Sequence, residues 1–376
     1  MLPVSPLRRR GGTARSYHRG MSHIGVNLGF GNLHENLTDE QMYAGEVQIA
    51  ELADRLGFDS LWAVEHHFDD YAMCPDNVLF LANVAARTER VRLGTGAVIL
   101  PWNDPLRVAE KMIMLDILSG GRAVFGMGRG LSRTEYAPFR IPMGESRARF
   151  DEAAAMIVSA LETGWIEGDG PYYPQPRVRL RPGPRGSFRD RLYCVAMSPD
   201  SIVSVVGLRA GLMSIPTRPV PDLMPVYTSY RDQYRAAHGA AAPPISLNVN
   251  MYCHQDAPAA RERSRRHMHA FFASNVRHYE MAGEHFAQTG GYERYAETAA
   301  LLRQVGLEAA AEAAAAVALF GTPDQLLRQI ADIKDVLGDF QLIVIPSFGG
   351  LPYEQAAASL ELFAKEVMPG ARELQG

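Results

Sequence analysis

The chain is poor in cysteine. Its three cysteines, Cys74, Cys194 and Cys253, are far apart and odd in number, so they give neither a disulfide framework nor the paired spacing of a zinc site. Such usage fits a reducing cytoplasm. Long apolar runs are missing too: no stretch approaches the roughly 18 consecutive apolar residues of a membrane span. Nor is there an excess of one charge, because 38 Lys and Arg stand against 42 Asp and Glu for a net of −4. No basic stripe lies outside the first ten residues, which argues against a nucleic-acid footprint and for a small-molecule partner. Arg8-Arg9-Arg10 is followed by no apolar h-region, so residues 1–21 read as a disordered extension and not as a secretory or twin-arginine signal. The remaining composition, 47% hydrophobic and 21% charged over 376 residues, is that of a soluble globular protein able to bury a large core.

From Ile24 onward, short β-rich runs alternate with longer stretches of helical period, the pattern of βα units on a parallel sheet. Eight strands are expected, at Ile24–Phe30, Ser60–Val64, Val91–Leu100, Ala123–Gly126, Leu192–Ala196, Leu212–Ile215, Ile245–Tyr252 and Gln341–Ile345. Between them lie helices such as Glu40–Leu56, with Val47, Leu52 and Leu56 near one face, and Leu106–Leu118, with Val108, Met112 and Leu115. Eight parallel strands close most economically into a (β/α)8 TIM barrel, an α/β fold occupying residues 22–376. From Gly164 to Asp190 the chain is rich in Pro, Gly and Arg without clear period, which predicts a long loop over one mouth of the barrel. Residues 255–320 are helical in character and fall between the seventh and eighth strands, where an insertion projects over the C-terminal face as a lid. The Ala-rich run Glu308–Ala316 fits a packed helical excursion without gating equally well.

Glu65-His66-His67-Phe68 follows directly on the second strand, and active sites of α/β barrels are built at strand C-terminal ends. Histidine suits general acid/base work near neutral pH. Neighbouring residues on an extended segment point to opposite sides, so at most one of the two imidazoles faces a ligand. In the third strand, Gly94-Thr95-Gly96-Ala97 brings two glycines into β-branched sequence, marking either a close backbone approach to a flat cofactor or a wall that needs small side chains. Gly126-Met127-Gly128-Arg129-Gly130 ends the fourth strand without the spacing of a dinucleotide fingerprint. Arg129 in that turn, Arg147 at the next helix and Ser198-Pro199-Asp200-Ser201 after the fifth strand together form a candidate phosphate site, with hydroxyls and first-turn amides as donors. His254, His267, His269, His278 and His285 are scattered through the insertion. His267-x-His269 lacks a third ligand at a recognisable interval and reads as a solvated face, so no metal site is expected.

Several long motifs in order now carry a resemblance. Gly57-Phe58-Asp59-Ser60-Leu61-Trp62 with Glu65-His66-His67-Phe68, then Gly94-Thr95-Gly96-Ala97-Val98-Ile99-Leu100-Pro101, then Leu115-Asp116-Ile117-Leu118-Ser119-Gly120-Gly121-Arg122 with Gly126-Met127-Gly128-Arg129-Gly130-Leu131 resemble bacterial luciferase and the luciferase-like flavin-dependent monooxygenases. The resemblance runs over nearly all of residues 22–370, more weakly around Gly321-Thr322-Pro323. It implies reduced FMN bound at the C-terminal mouth of a TIM barrel, O2 as co-substrate, and a separate NAD(P)H:flavin reductase as supplier. It implies His66 as the catalytic histidine beside the flavin, a non-proline cis peptide joining Gly96 and Ala97 behind the ring, and a flavin-binding set of Arg129, Arg147, Met197, Ser198 and Ser201. Met197 stands where luciferase has glutamate and Gly128 where it has cysteine, which weakens any claim to a long-chain aldehyde substrate.

The expected activity is therefore an FMN-dependent monooxygenase acting on a small, hydrophobic organic substrate, in a cytoplasmic homodimer, with the pairing carried over from the family. Asn27, Asn248, Asn250, Phe348 and the Phe271-Phe272 region are candidates to line the substrate pocket. Two alternatives stay open: hydride transfer from a reduced deazaflavin on the same barrel, and a non-catalytic flavin-binding partner subunit.

Overall fold

Eight parallel strands form one closed barrel in the computed structural model, which describes residues 23–196 and 198–374. The barrel strands are β1 (Ile24–Leu28), β2 (Ser60–Ala63), β3 (Arg92–Thr95), β4 (Ala123–Gly128), β5 (Leu192–Val195), β6 (Gly211–Ser214), β7 (Ile245–Cys253) and β8 (Phe340–Ile345). Each pairs with its sequence neighbours, and β8 closes on β1 in the register Ile24↔Leu342 to Val26↔Val344. The expected TIM barrel is therefore the observed one. The residues 1–21 expected to be an extension, and Met197, lie outside the described residues.

Helices cover the outside of the barrel, and their ends are set by local chemistry. Thr38 and Gln41 form a capping box at the start of helix Asp39–Leu56, with Thr38 N donating to Gln41 Oε1 at 2.9 Å and Gln41 N donating to Thr38 Oγ1 at 3.3 Å. Gly57 ends that helix in the left-handed region at φ +88°. Asp104 caps helix Pro105–Leu118 through the Arg107 amide, and proline occupies the first turn, where its missing N–H costs nothing.

The barrel lumen is packed solid. Trp62, Val124, Tyr193, Met213 and Ile343 form a buried cluster inside the ring of strands, and Trp62 meets Tyr193 edge to face at 5.3 Å. Their polar atoms are satisfied: Trp62 Nε1 donates to Ser60 Oγ at 2.8 Å, and Tyr193 and Gln341 bond at 3.0 Å. Glycine makes the room, since a Cβ on Gly94 would sit 2.4 Å from the Trp62 ring and one on Gly126 2.0 Å from the Thr95 carbonyl oxygen. For Gly94, packing is thus sufficient reason.

The segment after helix Ser146–Thr163 departs from expectation. Instead of a loop over the mouth, it forms an antiparallel hairpin, Trp165–Gly168 with Gln175–Arg179, laid along the outside of that helix. Glu152 of the helix accepts from the Tyr172 and Tyr173 amides at 3.2 and 2.6 Å, and Glu162 accepts from Phe188 N at 2.7 Å. Both strands are short and largely exposed, so no apolar alternation marks them in the sequence.

The insertion between β7 and helix Pro323–Leu337 is helical as expected. It comprises Ala257–His278, His285–Gln288, Glu293–Val305 and Leu307–Ala315, then a short strand, Leu319–Gly321, that pairs in parallel with the end of β7. No helix among the described residues is long and apolar enough to cross a membrane.

Candidate active site

The C-terminal ends of β2 and β4 and the end of helix Ala257–His278 meet at His66. His66 and His67 diverge as alternation requires. His67 turns to Glu65, 3.4 Å away, and packs edge-on against Phe139. His66 turns the other way: its Nδ1 lies 3.1 Å from Glu135 Oε1 and its Nε2 lies 3.2 Å from the Tyr279 hydroxyl. Glu65, the carboxylate of the sequence motif, is occupied elsewhere. It accepts from Trp102 Nε1 at 2.7 Å, Asn103 Nδ2 at 2.8 Å and Ile99 N at 3.2 Å, tying the end of β2 to the loop after β3.

Glu135 is the buried charge of the site, 1% exposed. It stands on a short helical turn, Arg133–Tyr136, just after β4. Its Oε1 also accepts from the His67 amide at 2.8 Å. Burial by itself raises its carboxyl, but His278 and His66 outweigh that effect and bring it down to about 2. His278 approaches the same oxygen at 3.6 Å and Asp69 at 3.9 Å, with neither ring nitrogen in a hydrogen bond among the described residues. Tyr71 stacks on the His278 ring at 4.8 Å. Donor atoms of His66, Glu135 and His278 lie within 4.8 Å of one another, near enough for a metal ion. The short contacts of Glu135 to His66 and to the His67 amide already account for that grouping as a hydrogen-bond cluster.

A second cluster lies at the loops after β4 and β5. Arg147 Nη2 donates to Ser201 Oγ at 2.6 Å, and the Ser198 and Ser201 hydroxyls are 2.8 Å apart. Ser198 caps helix Pro199–Gly207 by accepting from Ser201 N, so this helix begins at the cluster. Burial and the charge of Arg129 both push the Arg147 guanidinium below its usual range. Arg129 Nη2 donates to Gly291 O at 3.1 Å, while its buried Nη1 has no partner among the described residues. The Gly96–Ala97 peptide is cis, and Asn77 Nδ2 donates to Ala97 O and to Ala63 O, each at 3.1 Å.

At the mouth-ward lumen, Asn27 Nδ2 donates to Asn248 Oδ1 at 3.3 Å, while Asn27 Oδ1 and Asn250 Nδ2 have no partner among the described residues. Phe348 is buried in the main core, and Phe271 stacks on Tyr71 at 5.8 Å. His267 Nδ1 bonds Gly349 O at 2.8 Å, while His269 Nε2 lies 3.1 Å from Glu312 Oε1 without a hydrogen bond, so these two do not converge. Sequence reasoning missed Glu135, His278 and Tyr279. The one signal available was an acidic residue in the loop directly after a glycine-rich strand end.

The profile of the family described as luciferase-like monooxygenase matches residues 22–339. The chain belongs to that family. The alkanal monooxygenase alpha chain of Aliivibrio fischeri is 37% identical over 128 residues, 34% of this chain and 36% of that relative. The oxygenase component of the flavin-dependent trigonelline monooxygenase of Acinetobacter baylyi is 29% identical over 167 residues, 44% of this chain and 46% of that one. The chain thus spans less than half the length of either relative. Among solved structures, monooxygenase RslO1 from Streptomyces bottropensis superposes with a TM-score of 0.70 at 30% identity, covering 92% of this chain and 99% of that one.

Proposed function

We propose that the protein is the oxygenase of a two-component monooxygenase, which takes FMNH2 from a separate NAD(P)H:flavin reductase and uses O2 to oxidise a small, hydrophobic organic substrate. The observation that carries this reading is the buried, unpartnered Arg129 Nη1 together with a second, half-buried guanidinium, Arg147, at the start of a helix that presents Ser198 and Ser201. Two neighbouring cations without a full set of acceptors favour a dianion between them, and a helix N-terminus adds first-turn amides. A terminal phosphate monoester, as on FMN, has the charge and the acceptors that Arg129, Arg147, Ser198 and Ser201 lack.

Bound FMN supplies the redox and oxygen chemistry. The chain's own residues hold and shield it. The backbone at Gly96–Ala97 offers a flat surface without a long side chain, His66 holds a proton near the site, and the 255–320 insertion covers the mouth as a lid against water. The need for a reductase is supported by the single closed barrel, since the described residues form no doubly wound nicotinamide-binding sheet. Leu79, Met114 and Leu118, exposed apolar residues on the adjacent helices Asn77–Arg87 and Pro105–Leu118, support a homodimer through that face.

Anaerobic calorimetry with FMN, FMNH2 and a reduced deazaflavin tests the reading. FMNH2 is expected to bind, and Arg129→Ala and Arg147→Ala are each expected to weaken it without changing the melting temperature. Heat from the deazaflavin alone transfers the protein to hydride-transfer chemistry, and heat from none of the three removes the flavin reading.

A further inference from the structure

Three polar groups from three separate segments line up at the site: the Glu135 carboxylate from the loop after β4, the His66 imidazole from the end of β2, and the Tyr279 phenol from the end of helix Ala257–His278. We propose that Tyr279 is the group through which this site exchanges protons with its bound ligand, with His66 as its immediate base and Glu135 as the fixed charge behind. The proposal rests on the flavin reading above and adds a residue from the insertion to the chemistry.

The direction of the chain of bonds follows from charge. Glu135 is held ionised, so it accepts and His66 Nδ1 carries the hydrogen at 3.1 Å. Nε2 is then the lone-pair nitrogen, and it faces the Tyr279 hydroxyl at 3.2 Å. Burial pushes that hydroxyl well above its ordinary range, so Tyr279 stays a phenol and donates. The basic nitrogen of His66 is therefore covered by Tyr279, and a ligand reaches it through the phenol oxygen. In the transfer, an acidic O–H or N–H of the ligand breaks and its proton bonds to the Tyr279 oxygen. The phenol's own proton moves to His66 Nε2 at the same time, leaving an anionic ligand and an imidazolium beside the Glu135 carboxylate. The reverse movement protonates a ligand, and no electrons change hands. This is the carboxylate, imidazole, hydroxyl ordering of catalytic triads, with a phenol as the outer group.

The position of Tyr279 is fixed on both sides. Preceding it, the His278 carbonyl oxygen accepts from Ser132 Oγ at 3.0 Å and Thr134 Oγ1 at 3.2 Å. Following it, Glu280 turns into the left-handed region at φ +47° and accepts from Arg133 Nε at 2.9 Å and Nη2 at 2.7 Å. These anchors lie on the segment that carries Glu135, so the phenol and the carboxylate are placed by the same stretch of chain. A tyrosine needed only for packing requires no such alignment of its oxygen.

The test uses the full chain as wild type, Tyr279→Phe, Glu135→Gln, and a variant with 3-fluorotyrosine incorporated at 279. Nitrogen-edited NMR of the ligand-free protein is expected to show His66 in the Nδ1–H tautomer in the wild type and in Tyr279→Phe, and to show that preference lost in Glu135→Gln. With FMNH2 as probe, anaerobic binding to Tyr279→Phe is expected to equal wild type, while reoxidation of the bound FMNH2 by O2 falls about 100-fold. The fluorotyrosine variant, nearly isosteric and still able to pass a proton, keeps the rate, and Tyr279→Phe loses the solvent deuterium isotope effect of the wild type, which a packing role does not produce. Normal FMNH2 binding with unchanged reoxidation and an unchanged solvent isotope effect in Tyr279→Phe overturns the relay alone. A wild type that binds no FMNH2 overturns the flavin reading, and the proposal with it.

Discussion

The Arg129 guanidinium lies over the ring of Tyr292, 4.0 Å from its centroid. Tyr292 belongs to the insertion and is itself held by its hydroxyl, which donates to Gly130 O at 3.0 Å and lies 3.0 Å from Ser146 Oγ. The insertion thus orients an arginine of the proposed phosphate site. Tyr292→Leu removes the cation–π contact and frees the guanidinium to rotate, and is expected to weaken FMN binding about tenfold. Tyr292→Phe keeps the ring and is expected to retain most of the affinity. Fluorescence titration of FMN against the two variants checks this, and equal losses in both would assign the effect to the hydroxyl.

Arg129 itself is the sharper case. A charge-assisted hydrogen bond contributes about 1.5–3 kcal/mol, so Arg129→Ala is expected to lower FMN affinity roughly tenfold to a hundredfold, and riboflavin affinity hardly at all. A parallel calorimetric titration with riboflavin, which lacks the phosphate, separates a phosphate contact from a ring contact. Comparable losses for the two ligands would remove Arg129 from the phosphate site.

Two buried carboxylates make opposite contributions to stability against pH. Glu135 is brought down from 4.5 to about 2. A depressed carboxyl contributes stability that is present above its unfolded value and lost as pH falls through the folded one, so the loss runs from about pH 4.5 to about pH 2. Glu135→Gln is expected to flatten that acid limb, as measured by urea midpoints at successive pH values. An unchanged limb would show that other carboxylates control acid unfolding.

Much of this architecture was legible in the sequence. Strands such as Ser60–Ala63 and Phe340–Ile345 are short apolar runs between turn residues, and eight of them in alternation with helices admit few other folds. The hairpin Trp165–Gly168 with Gln175–Arg179 was not legible, because it rides on a helix with most of its residues in solvent. His66 was legible, while its partners were not. Glu135 comes from 69 residues away and Tyr279 from 213, and the insertion helix that delivers Tyr279 has no fixed spacing to the motif it completes. Local pattern marks the end of a strand, but tertiary packing selects what faces it.

Gly94 tests the packing of the lumen. A methyl group there would lie 2.4 Å from the Trp62 ring, which is fully buried and pinned by its bond to Ser60 Oγ. Gly94→Ala is expected to lower stability by about 1–3 kcal/mol through overpacking, visible as a lower thermal midpoint. The double change with Trp62→Phe, which shortens the ring system, is expected to recover part of that loss, and additivity of the two would mean that the clash is relieved elsewhere.

Glu46 is the second carboxylate, and its sign is reversed. It is fully buried between β1 and the loop after β8, where its Oε1 accepts from Ser347 Oγ at 2.9 Å, Tyr353 OH at 3.0 Å and Phe30 N at 3.2 Å, while Oε2 has no partner among the described residues. Burial outweighs these three bonds and pushes its carboxyl from 4.5 up to about 7. The folded state then binds more protons than the unfolded one between about pH 4.5 and pH 7, so stability falls as pH rises through that window and stays reduced above it. Glu46→Gln, neutral at every pH, removes the slope. The variant is expected to match wild type near pH 5 and to exceed it at pH 8 by up to about 3 kcal/mol, since each pKa unit corresponds to about 1.36 kcal/mol. Chemical denaturation at the two pH values reads the difference, and a variant less stable than wild type at pH 8 would show that the carboxylate is charged and compensated in the fold.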